Sequence, residues 1–154
     1  PRSLARARRQ TPLYFTIDAA FPDVIRACAE TVRPGQDGTW ITPEVIRGYI
    51  HLHELGYAHS FEAWDGDWLV GGVYGVEIDG AFAAESMFYR VPNASKLTLL
   101  YCIDYLQSVG LDWIDIQVCT PHTVRLGARA IPRTEFLDKL QRTRARQITL
   151  FPLR

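Results

Sequence analysis

The chain has 154 residues, 47% of them hydrophobic and 22% charged, enough apolar material for one globular domain that buries its own core. No apolar run approaches the roughly 18 to 20 residues a membrane helix needs, the N-terminus lacks a signal peptide's apolar core, and the 3 cysteines have no metal-type spacing, so a soluble, cytoplasmic protein without disulfide or metal is expected. Zero net charge conceals an asymmetry: residues 1–9 and 138–154 each carry plus four and the middle minus eight, and 15 of the 17 bases are Arg, whose planar fork suits phosphate.

The Arg-rich opening, with Arg2, Arg6, Arg8 and Arg9 and no acid, reads as a basic segment over 1–12, either simply solvated or in contact with nucleic acid. Residues 13–17 alternate as a first strand ended by Asp18. A helix follows with Phe21, Val24, Ile25, Cys28, Ala29 and Val32 on one stripe, Pro22 in its first turn and Pro34-Gly35 as its stop. Thr42-Pro43-Glu44 is an N-cap followed by proline at the first helical position, Gly56 ends that helix, and Val45, Ile46, Tyr49, Ile50 and His53 form its inward stripe. The period then changes to that of an antiparallel meander, with strands over 57–64 and 68–78, a tight turn at Asp65-Gly66 and another at Asp79-Gly80. Gly71, Gly72 and Gly75 inside the middle strand suggest that a ligand approaches the backbone there.

Residues 80–118 read as strand, loop, helix and strand, and this stretch is where chemistry is expected. Ile114, Ile116 and Val118 alternate with Asp115 and Gln117, which puts the two polar groups on one face, roughly 6.6 Å apart. Glu85 lies among Ala81, Ala83 and Ala84, a carboxylate over open space. Asn93 and Ser95 precede an apolar helical run whose first backbone N–H groups would open on the same cleft. Residues 122–126 form a helical turn capped by Gly127, Pro132 opens a helix to about 141, and 147–151 reads as a closing strand within a basic C-terminal segment, 142–154.

This element order resembles the GNAT acyltransferase architecture, which implies an α+β fold: a mixed, mainly antiparallel sheet flanked by helices, here as a single domain over 1–154. The loop from Arg90 to Lys96 contains none of the glycines with which GNAT acetyltransferases wrap coenzyme A pyrophosphate, so coenzyme A is not the expected donor.

More specific is a set of motifs in order: Thr39-Trp40-Ile41-Thr42-Pro43, His53-Glu54-Leu55-Gly56-Tyr57-Ala58-His59-Ser60, Gly71-Gly72-Val73-Tyr74-Gly75-Val76, Glu85-Ser86-Met87-Phe88, Asn93-Ala94-Ser95-Lys96, Asp115-Ile116-Gln117, and Leu126-Gly127-Ala128-Arg129 through Ile131-Pro132-Arg133. Together they resemble the leucyl/phenylalanyl-tRNA–protein transferases. The resemblance implies transfer of Leu, Phe or Met from charged tRNA to the α-amino group of a protein beginning with Arg or Lys, which marks it for degradation by the N-end rule. Aminoacyl-tRNA is then the donor substrate and no further cofactor or metal is expected. Asp115, Gln117 and Glu85 become the catalytic set. Trp40, at the terminal adenosine, and Val73, in the pocket for the transferred side chain, become substrate contacts with Gly71, Gly72, Gly75, Ala84, Ser86, Asn93 and Ser95. Arg2, Arg6, Arg8, Arg9 and Lys96 are the expected tRNA contacts of a monomer. Ala84 stands where the family usually has Gly and Ile116 where it has Cys, and the separate N-terminal domain of longer members has no counterpart in these residues. The alternatives are a related transferase with a small-molecule or peptide amine as acceptor, and a non-enzymatic module that binds tRNA ends or protein N-termini.

Overall fold

The computed structural model describes residues 2–32 and 38–152, with residues 2–5 described by their backbone alone. Four strands, β1 (Tyr14–Ile17), β2 (Ala58–Asp65), β3 (Trp68–Ile78) and β4 (Ala81–Tyr89), form one antiparallel sheet in the order β1-β2-β3-β4. Helices α1 (Arg2–Gln10), α2 (Phe21–Glu30), α3 (Pro43–Glu54), α4 (Ala94–Ser108), α5 (Pro121–Arg125) and α6 (Arg133–Ala145) surround it. Among the described residues no helix is long and apolar enough to cross a membrane.

Local chemistry accounts for the element boundaries. The Thr42 side chain accepts a hydrogen bond from the Val45 N–H, Pro43 follows it, and Gly56 takes φ +82° where α3 stops. The β3–β4 turn is Asp79-Gly80, with φ +52° and +81°, the backbone signs a tight hairpin needs. The β2–β3 turn lies one residue later than expected: Asp65 pairs with Trp68, and Gly66, at φ +57°, and Asp67 make the loop.

Two apolar layers cover the sheet. On one face α2 and α3 bring Phe21, Val24, Ile25 and Cys28 against Tyr74 and Phe88, and the α3 stripe is half-buried at the edge of this layer. On the other, α4 brings Leu99, Cys102 and Leu106 against Phe61, Val73 and Phe82. The α2 stripe stops short of its expected length. Thr31 is already extended at the C-cap, so Val32 leaves the helix and is 91% exposed, while Pro34-Gly35 lies outside the described residues.

The β3–β4 ladder carries one irregularity: Tyr74 pairs with Ser86 and Gly75 with Ala84, so Glu85 is an extra residue with no partner. This is a β-bulge, and it reverses which side chains face which layer. Before it, Phe82 and Ala84 face α4; after it, Met87 faces α4 and Phe88 faces α2.

Three further expectations change. The 112–118 segment is no strand: it touches the sheet through a single parallel bridge, Asp115 with Ala83, and Gln117 turns away at φ +67°. Residues 147–151 also lack strand pairing, although Leu150 is buried and Phe151 stacks on His59 at 3.7 Å. The strand glycines make room for the protein itself. A Cβ at Gly71 would lie 2.8 Å from Ala94 Cβ at the start of α4, one at Gly72 would lie 2.6 Å from Phe88, and one at Gly75 would lie 2.3 Å from the Ala83 carbonyl oxygen.

Gly75→Ala should therefore be costly. The added methyl meets backbone rather than a mobile side-chain tip, so urea denaturation should show a loss of about 1–3 kcal/mol, the usual penalty of overpacking. A stability equal to that of the unsubstituted chain would show that Ala83 yields freely.

Candidate active site

The bulge lifts Glu85 out of the regular ladder toward α3. There the Tyr49 hydroxyl donates a hydrogen bond to its carboxylate. From the opposite side Gln117 Nε2 donates to Glu85 Oε1 at 3.3 Å. The Gln117 backbone N–H in turn donates to Asp115 Oδ1 at 2.8 Å, so Asp115 closes the tight turn that gives Gln117 its positive φ. Asp115 is itself held on β4 by backbone bonds in both directions, Ala84 N–H to the Asp115 carbonyl at 2.7 Å and Asp115 N–H to the Phe82 carbonyl at 3.1 Å. Tyr49, Glu85, Gln117 and Asp115 thus form one connected run across α3, β4 and the 115–117 turn. Asp115 and Gln117 meet through this turn rather than side by side on a strand face.

Trp40 joins the run at its far end. It is 47% exposed, and its ring meets Tyr49 edge-on, centroids 6.5 Å apart at 68°. Sequence reasoning placed Tyr49 on the apolar stripe of α3 and missed its role. The available signal is chemical: a tyrosine on a core-facing stripe carries a hydroxyl that needs a partner when it is covered.

Electrostatics match the geometry. Burial, and then the neighbouring Glu85 charge, push the Tyr49 hydroxyl up to about 12, so it remains a proton donor at neutral pH. Burial also pushes Glu85 above the usual carboxylate range, and Asp115 adds to that, while the Tyr49 hydrogen bond pulls the other way.

Two cavities flank the 113–116 segment. Trp113 and Asp115 face a cleft of about 500 Å³ between β4 and α6, which Glu85 also lines. Ile114 and Ile116 face a second cavity of about 370 Å³, walled by Leu99, Ile103, Leu126 and Ile131 and lined also by Asp112, Arg129, Lys139 and the Trp113 that it shares with the cleft.

The other expected contacts are placed differently. Val73 is fully buried against the α4 layer and Ala84 is buried, so neither opens on a ligand-sized space beside Gly71, Gly72 and Gly75. Ser86 pairs with Tyr74, next to the bulge. Asn93, left-handed at φ +67°, and the buried Ser95 sit at the far end of β4, beside Gly71, whose strand partner is Tyr89. That is four residues from Glu85, about 14 Å along the strand. The Ala94 N–H is spent on the Val91 carbonyl, so the start of α4 does not open on the Glu85 cleft.

The Arg-rich opening is a helix, α1, pinned to α4 by an ion pair between Arg8 and Asp104. Arg6 donates to Gln10, Arg9 is exposed, and the Arg2 side chain lies outside the described residues. Lys96, in the first turn of α4, donates to Asn93. At the other end Arg144 pairs with Asp79 and Arg146 donates to the Gly110 carbonyl, so part of that basic segment is engaged internally. Among the described residues no group of three or more His, Cys, Asp or Glu is arranged to hold a metal ion.

A profile of the leucyl/phenylalanyl-tRNA protein transferase family matches residues 1–141. A relative of that name from Anaeromyxobacter dehalogenans (strain 2CP-C) is 54% identical over 142 residues, 92% of this chain and 61% of its own. One from Chromobacterium violaceum is 50% identical over 140 residues, covering 91% and 60%. The chain thus spans about six-tenths of the length of the curated relatives it matches. Among solved structures, that of a predicted acetyltransferase with acetyl-CoA from Clostridium acetobutylicum superimposes with a TM-score of 0.53 at 10% identity, over 79% of this chain and 92% of the other. A transcriptional regulator from Bacillus halodurans gives 0.52 at 14% identity, over 78% and 96%. At these identities the likeness is one of fold, the GNAT-like α+β arrangement expected from the element order.

Tyr49→Phe isolates the hydroxyl from the ring packing. With the bond that favours the charged carboxylate gone, the Glu85 pKa should rise further. Carboxyl-carbon NMR titration reads this directly, and an unmoved Glu85 would show that the hydroxyl does not hold it.

Proposed function

The chain belongs to the leucyl/phenylalanyl-tRNA protein transferase family, and from that premise we propose that it transfers an uncharged aminoacyl group, Leu, Phe or Met, from tRNA to the α-amino group of a protein that begins with Arg or Lys. The observation that carries this reading is the hydrogen-bonded run Tyr49–Glu85–Gln117–Asp115, with a cavity on either side of the 113–116 segment. In this reading the cavity behind Ile114 and Ile116 takes the donor's side chain against its Leu and Ile walls, and the cleft that carries Glu85 and Asp115 takes the acceptor. Trp40, half-exposed beside Tyr49, stacks on the terminal base, a contact of about 1–3 kcal/mol. The protein would work as a cytoplasmic monomer, marking its acceptors for degradation.

The reaction asks little of the protein in acid–base terms. The amine nitrogen attacks the ester carbonyl carbon, the new C–N bond forms, the C–O bond to the ribose breaks, and the amine proton ends on the ribose oxygen. The ester is already activated, and an α-amine of pKa about 7.7–8.0 is partly neutral near pH 7.4, so positioning supplies most of the acceleration. Gln117 gives its amide N–H to Glu85, which leaves its carbonyl oxygen to accept from the incoming amine. Asp115 gives one oxygen to the Gln117 backbone and has a second to take the proton and pass it to the departing ribose oxygen. Glu85, fixed by Tyr49, sets the orientation of Gln117. The exposed cations of α1 and Lys96 contact tRNA phosphates without reading sequence.

The reading is tested with Leu-tRNA or Phe-tRNA labelled in the amino acid and a panel of acceptors: peptides beginning with Arg or Lys, peptides beginning with a neutral residue, and small amines. Label should enter the Arg and Lys peptides, and label confined to small amines, or none, would sink the proposal. Asp115→Asn preserves the turn but removes the proton acceptor, and should lower kcat and kcat/KM together by about 10²–10⁴. Glu85→Gln should act chiefly on the KM of one substrate. Near-normal turnover in Asp115→Asn would reassign that residue to the turn alone. Replacing Arg2, Arg6, Arg8 and Arg9 with Gln should weaken binding of all tRNAs alike and flatten the log–log salt dependence by roughly 0.9 for each phosphate no longer neutralised, whereas an unchanged slope would remove α1 from the interface.

A further inference from the structure

The cleft of about 500 Å³ and the cavity of about 370 Å³ meet at one side chain: among the described residues Trp113 alone lines both. Its neighbours divide between them. Ile114 and Ile116 line the cavity and Asp115 lines the cleft, while on α6 Lys139 lines the cavity and Phe136 and Leu140 line the cleft. The Trp113 side chain therefore stands in the gap between the 113–116 segment and α6, and the two spaces are separate because it is there.

The indole is held in that gap by one face of α6. Its Nε1–H donates to Thr143 Oγ1 at 2.8 Å, and Thr143 is itself buried. Phe136 meets the ring edge-on, centroids 5.9 Å apart at 90°, and Lys139 Nζ lies over it, 5.9 Å from the centroid. Phe136, Lys139 and Thr143 follow one another at helical spacing, so consecutive turns of α6 present all three contacts to the same ring. A covered indole needs a partner for its N–H, and here that partner fixes the angle at which the ring stands across the gap.

Resting on the transferase reading above, in which the cavity takes the donor's side chain and the cleft takes the acceptor, we propose that Trp113 is the partition that keeps donor and acceptor binding independent. The donor side chain ends against one side of the indole and the acceptor against the other, so the size of one does not change the fit of the other. Without the indole, a compact donor side chain still ends inside the cavity, whereas an aromatic one reaches through the gap into the space of the acceptor. Two sites become coupled when a ligand at one changes the contacts made at the other, and the indole prevents that contact.

The test is the KM of a peptide beginning with Arg, measured at saturating Leu-tRNA and at saturating Phe-tRNA, with Met-tRNA in place of either donor that is not transferred. In the unsubstituted chain the two values should agree within about twofold, and in Trp113→Ala the value with the bulkier donor should exceed the other by about fivefold or more, the low end of the coupling between linked sites. Trp113→Phe gives up the bond to Thr143 but keeps a ring in the gap, and its ratio should stay within about twofold of the unsubstituted one. A loss of stability alone changes the amount of active protein and leaves the ratio where it was. If Trp113→Ala shows no cooperative thermal transition, Trp113→Leu, which keeps apolar contact without the width of the indole, takes its place. Unequal KM values in the unsubstituted chain, a ratio near one in the folded truncated variant, or a Trp113→Phe protein as unequal as the truncated one would each overturn the proposal. The same assay separates it from the reading on which it rests. No transfer from any donor removes the transferase reading, and the partition with it, whereas transfer with a ratio unmoved by truncation removes the partition alone.

Discussion

The bulge at Glu85 is the constraint on which the rest of the site depends. Without the extra residue, the parity of β4 would carry through, and Phe82 and Phe88 would face the same layer; with it, each packs into a different one. Glu85 is free of the ladder because Gly75, opposite, lets the Ala83 carbonyl come too close for any Cβ. The same local shift leaves the outer edge at Phe82 and Ala84 available to Asp115, whose backbone bonds to both. One inserted residue therefore aims a carboxylate at α3 and docks the 115–117 turn beside it.

A second polar network joins β1 and β2 to the start of α2. Glu62 is completely buried in β2, where its carboxylate accepts from the Thr16 hydroxyl at 2.6 Å, from the Ser60 hydroxyl at 2.5 Å and from the Ala20 N–H at 3.4 Å, ahead of α2. Burial raises its pKa, and the hydroxyl and backbone donors oppose that shift. Thr16 also accepts from the Trp64 indole at 2.8 Å, so β1 and β2 are joined by side chains as well as by their ladder. At the next corner Asp18 accepts from His59 at 2.7 Å and from the Ser60 N–H at 2.9 Å. His59 in turn stacks on Phe151, so residues beyond α6 help to close this corner. These are buried polar groups with their partners in place, the condition under which such groups specify geometry instead of costing stability.

The 113–116 segment stands between a cleft and a cavity. Asp115 lines the cleft together with Glu85, Ile114 and Ile116 line the cavity, and Trp113 lines both. In the proposed reaction the two reactants would approach Asp115 and Gln117 from either side of this segment, an arrangement suited to chemistry that depends on positioning.

Much of the scaffold was legible because its signals are local. The Thr42-Pro43 cap, the stop at Gly56 and the Asp79-Gly80 hairpin each depend on a few adjacent residues, and the ordered motifs from Trp40 to Arg133 were enough to point to the family. Glu85, Gln117 and Asp115 were identifiable as chemical groups, and Glu85 as a carboxylate beside small residues. How they meet was not. Alternation at 114–118 is equally compatible with a strand, and only the capture of the Gln117 N–H by the Asp115 side chain turns it into a bend. The glycines of β3 read as room for a ligand, whereas the approach of Ala94, Phe88 and Ala83 that fills that room is long-range packing no local pattern encodes. Tyr49 looked like core because its partner lies 36 positions away, on a strand whose register depends on one unpaired residue. Local backbone chemistry is written in neighbouring residues; which side chain meets which across the sheet is decided when the layers pack.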